Sequence, residues 1–209
     1  MKGLILKDIY TSIKELKSYF VILALFIGAS FISQDFFFCA AYPCLICGMF
    51  PQSLLSFDER GKWDFYCGTL PVSKAAIVSA KYIFSLLIIA LVMVVSSITH
   101  TAHILVTHTF GWDTYWMLLA LLFSLSCLVV AVQLPFLFKY GTEKGRFAYW
   151  IMVLLASGGS ASMVSVFDDQ FLPTIPIESL LPFVCILCAA LYALSWFFSI
   201  KFYQKREIS

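Results

Sequence analysis

Long apolar runs separated by short charged segments organise this chain. Residues 19–33, 36–57, 75–106, 115–138, 147–166 and 180–200 form six such runs. A bilayer core about 30 Å thick is crossed by a helix of roughly 20 apolar residues, so the pattern predicts an all-α membrane protein of six transmembrane helices. The first run is short and is expected to extend back through Lys17. The third is longer than a span requires, so its start at 73–81 is expected to project from the bilayer with Ser73 as N-cap. Pro43 and Pro51 predict kinks in the second run, whereas Pro182 falls in a first turn, where proline is tolerated.

The segment before the first run has a different periodicity. Ile5, Ile9, Ile13 and Leu16 recur at helical spacing, with Lys7, Asp8, Lys14, Glu15 and Lys17 around the rest of the circumference. Residues 1–18 are therefore expected to form an amphipathic interfacial helix, with Lys7, Lys14 and Lys17 meeting anionic membrane lipid. A secretory signal would place a short apolar stretch and a small-residue cleavage site here, so the N-terminus is expected to be kept.

Composition excludes a water-soluble reading. Of 209 residues, 61% are apolar and 12% charged, against roughly a quarter charged in a soluble domain. Mean hydropathy is +0.92. Six spans and their loops use the whole chain, so residues 1–209 read as one transmembrane domain with no room for a soluble catalytic domain.

The charges assign an orientation. Lys2, Lys7, Lys14 and Lys17 precede the first run; Arg60, Lys62, Lys74 and Lys81 lie between the second and third. Lys139, Lys144 and Arg146 lie between the fourth and fifth, and Lys201, Lys205 and Arg206 follow the sixth. These are all 14 basic residues of the chain. The alternate loops carry Asp35, Asp113, Asp168, Asp169 and Glu178 without one lysine or arginine. Because basic residues mark cytoplasmic loops, both termini are expected inside.

Candidate chemistry is sparse. No stretch matches G-x-x-x-x-G-K-[ST], and the spans hold no central Asp, Glu, Lys or Arg that would mark a proton relay. If the chain drives transport, its energy comes from another subunit, which must touch the cytoplasmic face. The long cytoplasmic loop, 57–74 and onward to Lys81, is the candidate contact. Ser56 and Glu59 have capping-box spacing, so a short helix is expected to start there, with Phe57, Trp63, Phe65 and Tyr66 as an aromatic face beside Asp58, Glu59, Arg60 and Lys62. Such a helix suits docking; it equally suits an interfacial loop whose aromatics anchor in the headgroups.

Other features have plainer readings. His100, His103 and His108 lie near the outer end of the third span, where a metal or haem role competes with polar residues tolerated at the interface. The pairs Cys44/Cys47 and Cys185/Cys188 have C-x-x-C spacing but sit in apolar spans, where a thiol acts as a small hydrophobe. The small residues 157–162 suit close helix packing better than a serine nucleophile, since neither of the last two spans supplies a histidine. Gln133 is expected to bond the backbone freed by Pro135 or to face a transport path. Residues 167–178, with two aspartates and two prolines, are expected to cap the outer face.

The stretch Asp58, Glu59, Trp63, then Leu70, Pro71, Val72, Ser73, Lys74, then Val78, Ala80, Lys81 and Tyr82, with the opening KGLILKDIY, resembles the bacterial ABC-2 type transporter permeases. The likeness is to their small six-span branch, which lacks a fused ATPase domain. The resemblance implies a permease subunit of an ATP-binding-cassette exporter in the bacterial cytoplasmic membrane. In that family the N-terminal amphipathic helix is a connecting helix, and the loop between spans two and three holds a coupling helix that enters a cleft of a separate ATPase. Asp58, Glu59, Arg60, Trp63 and Phe65 would then contact the partner. Two ATPase copies would bind ATP and Mg, a second permease, identical or paralogous, would complete the path, and no nucleic acid is involved. The chain itself would need no catalytic residue, metal or cofactor. The cargo would be amphipathic or hydrophobic, such as a peptide or drug. Two other readings are a six-span substrate-binding component of an uptake system, which would lack a coupling helix, and a membrane haem or metal protein built on the histidines.

Overall fold

The computed structural model describes residues 2–15, 17, 21–22, 24–25, 28, 36–69, 72–107, 112–166 and 177–205. The first apolar run, His108, the C-terminal Arg206 and residues 167–176 of the expected outer cap lie wholly or mostly outside them; so do the side chains of Phe65, His103 and the small-residue stretch 157–162. No strand occurs among the described residues. The elements are α1 (Lys2–Glu15), α2 (Phe36–Arg60), α3 (Trp63–Thr69), α4 (Lys74–Thr107), α5 (Trp112–Val166) and α6 (Ile177–Lys205). Lys74–Ala102, Tyr115–Gly145 and Pro182–Lys205 are long and apolar enough to cross a membrane.

Ser73 starts α4 as its sequence context predicts: the Ala76 amide donates to the Ser73 hydroxyl at 3.2 Å and to its carbonyl at 2.9 Å. At 34 residues, α4 is about 51 Å long, against a hydrocarbon core of about 30 Å. The helix expected to start at Ser56 does not exist as such. The apolar face of α2 carries that helix through Pro51 and Ser56 to Arg60, so residues with capping-box spacing are helix interior. The chain breaks after Arg60: the Gly61 amide bonds the Phe57 carbonyl at 2.9 Å, the Lys62 amide bonds the Glu59 carbonyl at 3.1 Å, and Lys62 takes φ 49°. α3 begins at the next residue.

A loop was expected between the fourth and fifth runs; the structure compresses it to a corner. α5 is helical on both sides of Gly141, which has φ 80° and ψ 175°. A β-carbon added at Gly145 would lie 2.5 Å from Leu137 Cδ2 and 3.3 Å from Leu137 Cα. Eight residues of unbroken helix would separate these positions by about 12 Å, so the chain doubles back here. Gly141 supplies the left-handed dihedral and Gly145 the close approach.

α4 and the first arm of α5 form the centre, with α2 on one side and α6 on the other. Cys47, Phe50 and Leu54 of α2 pack with Phe84, Ile88 and Val92 of α4 and Leu122 of α5. On the other side Val78, Tyr82 and Ile89 of α4 pack with Val130, Leu134 and Phe138 of α5 and Tyr192 and Tyr203 of α6.

Hydrogen bonds reinforce this second seam, where burial in an apolar setting makes an unpaired hydroxyl costly. Ser195 Oγ donates to the Ala131 carbonyl at 2.6 Å. Its single proton is thereby committed, so Tyr82 Oη donates to Ser195 at 2.7 Å and in turn accepts from Ser199 at 2.6 Å. Tyr192 Oη donates to the Tyr82 carbonyl at 2.8 Å, Trp196 Nε1 donates to Ser79 Oγ at 3.1 Å, and the Trp196 ring stacks on Tyr82 at 5.5 Å.

These contacts set the helix directions. Lys74 reaches the Gln204 carbonyl while Tyr82 meets Ser195, so α4 and α6 run antiparallel. Ala131 meets Ser195 and Phe138 meets Tyr203, so α6 runs with the first arm of α5. Gln52 meets Gln133 and Glu59 meets Thr142, so α2 does too. One end of the bundle therefore gathers the end of α2, all of α3, the start of α4, the Gly141 corner and the end of α6. Among the described residues the basic side chains of α2 to α6 lie toward this end, and the opposite end carries Asp113 and Glu178 with no lysine or arginine.

Candidate functional site

At the basic end, α1 lies against α4 and the end of α2. Sequence periodicity placed Asp8 on the solvated face of an interfacial helix; in the structure Asp8 is 1% exposed and Ser12 is buried beside it. The face turned away from the protein carries Leu6, Tyr10 and Ile13, all more than half exposed, with Lys14 and Lys17. Ile5 and Ile9, assigned to the lipid by spacing, are half-buried.

Asp8 is buried because it has a partner. Lys81 of α4, itself 3% exposed, donates to Asp8 Oδ1 at 2.8 Å and to Asp58 Oδ2 at 2.6 Å. Lys7 of α1 donates to Asp58 Oδ1 at 2.7 Å and lies 3.3 Å from Asp8 Oδ1. The result is a closed ring of two lysines and two aspartates, alternating in sign and neutral in sum. It joins α1, α2 and α4 at one point. Taking any one member away leaves a buried charge uncompensated, which costs roughly 3–5 kcal/mol. Lys7 Nζ also sits 4.1 Å from the centroid of the Trp63 ring, which attaches the first residue of α3 to the ring by a cation–π contact.

The neighbouring carboxylate points elsewhere. Glu59 accepts from the Thr142 amide through Oε1 at 3.3 Å, and its Oε2 accepts from the Thr142 hydroxyl. Thr142 opens the second arm of α5, where helix amides have no partner of their own, so Glu59 acts as a cap in trans and complements the helix dipole. Beside this contact Gln52, Ser56, Glu59, Arg60, Thr142, Glu143 and Phe147 line an open cavity of about 540 Å³ of mixed polar and apolar character. Gln133 Nε2 donates to Gln52 Oε1 at 2.8 Å, both side chains buried. Gln133 thus links α5 to α2, in place of the Pro135-freed backbone bond expected from sequence.

The residues singled out for partner contact therefore divide. Asp58, Glu59 and Trp63 are brought together with Lys7, Lys81 and Thr142 and face into the protein. Arg60 is exposed, as are Lys62, Tyr66 and Thr69 along the turn and α3. Lys7, expected to meet lipid, is held in the ring. Asp8, Gln52 and Thr142 were not singled out by sequence as site residues, and Lys81 only within the stretch that carries the family resemblance. The signal that could have found Asp8 and Lys81 is a charge on an otherwise apolar helical stripe: Asp8 follows Leu4 and Ile5, and Lys81 follows Ile77 and Val78, by four and three positions.

His100 is buried and meets the Tyr115 ring edge-on at 5.1 Å. Cys47 and Cys188 are buried in the helix seams, and Cys185 lies 3.3 Å from Ser124 Oγ.

What the arrangement can do is mechanical. Trp63 ties α3 to Lys7 of α1 and so to the ring, while Asp58 and Glu59, on the last turn of α2 just before α3, hold α4 and the α5 corner. No protein of curated function matches the chain. A family model described as ABC-2 family transporter protein matches residues 3–204, which is nearly the full length. The chain belongs to the ABC-2 transporter family, as the multi-pass membrane permease component of an ABC transporter.

Proposed function

We propose that the chain is the permease subunit of an ATP-driven exporter, and that α3 with the turn before it is the element on which a separate ATPase subunit acts. The observation that carries this reading is the place of α3: Trp63 joins it to Lys7 and the charge ring, and the turn at Gly61 and Lys62 joins it to the end of α2, whose Asp58 and Glu59 hold α4 and the α5 corner. In this reading six spans cross a bacterial plasma membrane with both termini in the cytoplasm, because lysine and arginine are enriched on the cytoplasmic side of membrane proteins and gather at one end of this bundle.

Two ATPase copies bind ATP and Mg, and their closure presses α3 of each of two permeases. The ring and the Glu59 cap pass the push to three helices at once. The permease supplies levers and a lined path and carries out no covalent step of its own. Its cargo is amphipathic or hydrophobic, a peptide or drug, in keeping with a chain that is 17% aromatic.

The partner-facing residues are then Arg60, Lys62 and Tyr66, and Asp58, Glu59 and Trp63 are the transmission behind them. Arg60→Glu combined with Tyr66→Ala changes only exposed side chains. The double variant is expected to insert and melt as the parent does while losing permease-stimulated ATP hydrolysis by the partner in proteoliposomes. Unchanged stimulated hydrolysis removes α3 from the contact.

A further inference from the structure

Along its outer surface the first arm of α5 and α6 run side by side and leave a groove of about 490 Å³ between them. Leu128, Val132 and Phe136 form one wall, and Leu191, Leu194 and Phe198 the other; each is between 38% and 54% exposed. The hydroxyl at the back, Ser195, is already committed to the Ala131 carbonyl and Tyr82, so the groove offers a ligand almost no polar atom.

From Leu191 to Phe202 the α6 wall is about 17 Å long, and the hydrocarbon core is about 30 Å thick. The groove therefore runs for about one leaflet and stops. Where it stops, at the basic end of the bundle, a second hollow lined by Pro135, Phe136, Tyr140 and Phe202 continues it to Lys139. Lys139 is exposed, its Nζ resting 5.0 Å from the Tyr140 ring and 5.3 Å from the Phe202 ring. Among the described residues no carboxylate lies within salt-bridge distance of it; the ion pairs there belong to Lys7 and Lys81. Lys201 and Lys205, both exposed, follow Phe198 and Phe202 by three positions and so share that end of the groove.

We infer that the α5–α6 groove is a binding site for an anionic phospholipid of the leaflet at the basic end, its acyl chain in the groove and its phosphate at Lys139. A one-leaflet apolar channel ending in an uncompensated ammonium matches the two parts of such a lipid. This assignment does not depend on the ATPase contact at α3, which lies elsewhere on the same end.

The test is lipid titration of the purified full-length chain by native mass spectrometry, with phosphatidylglycerol and phosphatidylcholine as probes. The parent should retain phosphatidylglycerol in preference. One lysine at a lipid headgroup changes affinity by about fivefold, so Lys139→Gln should weaken phosphatidylglycerol by that factor and leave phosphatidylcholine unaltered. Lys144→Gln, an exposed lysine past the corner, should change neither. Leu194→Trp, which fills the groove, should reduce retention of both. Equal binding by Lys139→Gln and the parent overturns the proposal, and so does an equal loss in Lys144→Gln, which would mean unspecific surface attraction. A cysteine at position 194 that cross-links to a second copy in native membranes also overturns it, because the groove is then a protein contact. The Lys139 and Lys144 variants alter exposed side chains and decide the matter even where the groove variant folds poorly.

Discussion

Replacing Lys81 by methionine removes the member of the charge ring that is bonded to both aspartates. Lys81 and Asp8 have side chains 4% and 2% exposed, so water replaces little of what is lost. Lys7 remains, 2.7 Å from Asp58 and 3.3 Å from Asp8, and two carboxylates then share one ammonium. Breaking a buried pair by removing one partner costs roughly 3–5 kcal/mol. For a chain of this size each kcal/mol moves the midpoint by about 2–4 °C, so Lys81→Met should lower the thermal midpoint, followed by tryptophan fluorescence in detergent, by roughly 6–20 °C. The second half of the experiment isolates the interaction. Asp8→Asn in the Lys81→Met background leaves Lys7 and Asp58 as a balanced pair and should recover more than half of the loss, so that the double variant falls well short of the sum of the two single losses although the positions are 73 residues apart. If the two losses simply add, or if Lys81→Met melts within about a degree of the parent, the ring does not hold α1 to α4.

Four further outcomes follow from the geometry. Gly141→Ala forces a side chain into φ 80° and should destabilise by about 1–2 kcal/mol, read as an earlier melt. Lys62→Gly relieves the left-handed φ 49° at the turn before α3 and should raise the midpoint by about 0.5–1 kcal/mol equivalent, a gain where most substitutions lose. Glu59→Ala uncaps the second arm of α5 and should cost about 1 kcal/mol, with faster protease nicking near Thr142 as a local readout. Tyr82→Phe keeps the ring stack on Trp196 but strands the Ser199 hydroxyl and removes the donor to Ser195, whose own proton stays on the Ala131 carbonyl, and should cost about 0.6–1.7 kcal/mol, from the mean to the largest value for hydrogen bonds between membrane helices.

Much of the scaffold was legible in the chain, because bilayer burial imposes long apolar runs and the charges between them alternate. Ser73 as N-cap, the extended start of α4 and the gathering of lysines at one end all followed from local pattern. What pattern missed depends on tertiary partners. Asp8 and Lys81 each look like surface charges on an amphipathic helix, and only the approach of two segments 73 positions apart makes them a buried pair. Capping-box spacing at Ser56 and Glu59 misled for the converse reason: α2 continues through it, packed by Leu54 and Phe57, and Glu59 caps a helix 83 residues away. The acidic pair stood out in sequence as a docking feature, yet Asp58 and Glu59 are spent inside the molecule; the exposed chemistry is Arg60, Lys62 and Tyr66 beside them.

The most direct test of coupling through α3 is a photo-reactive amino acid at position 66, activated in native membranes and mapped by mass spectrometry. Tyr66 is 65% exposed on α3, and its replacement disturbs no core contact. Coupling through α3 predicts an adduct with a chain carrying a nucleotide-binding P-loop. Adducts with phospholipid alone would place α3 in the headgroups and contradict the assignment.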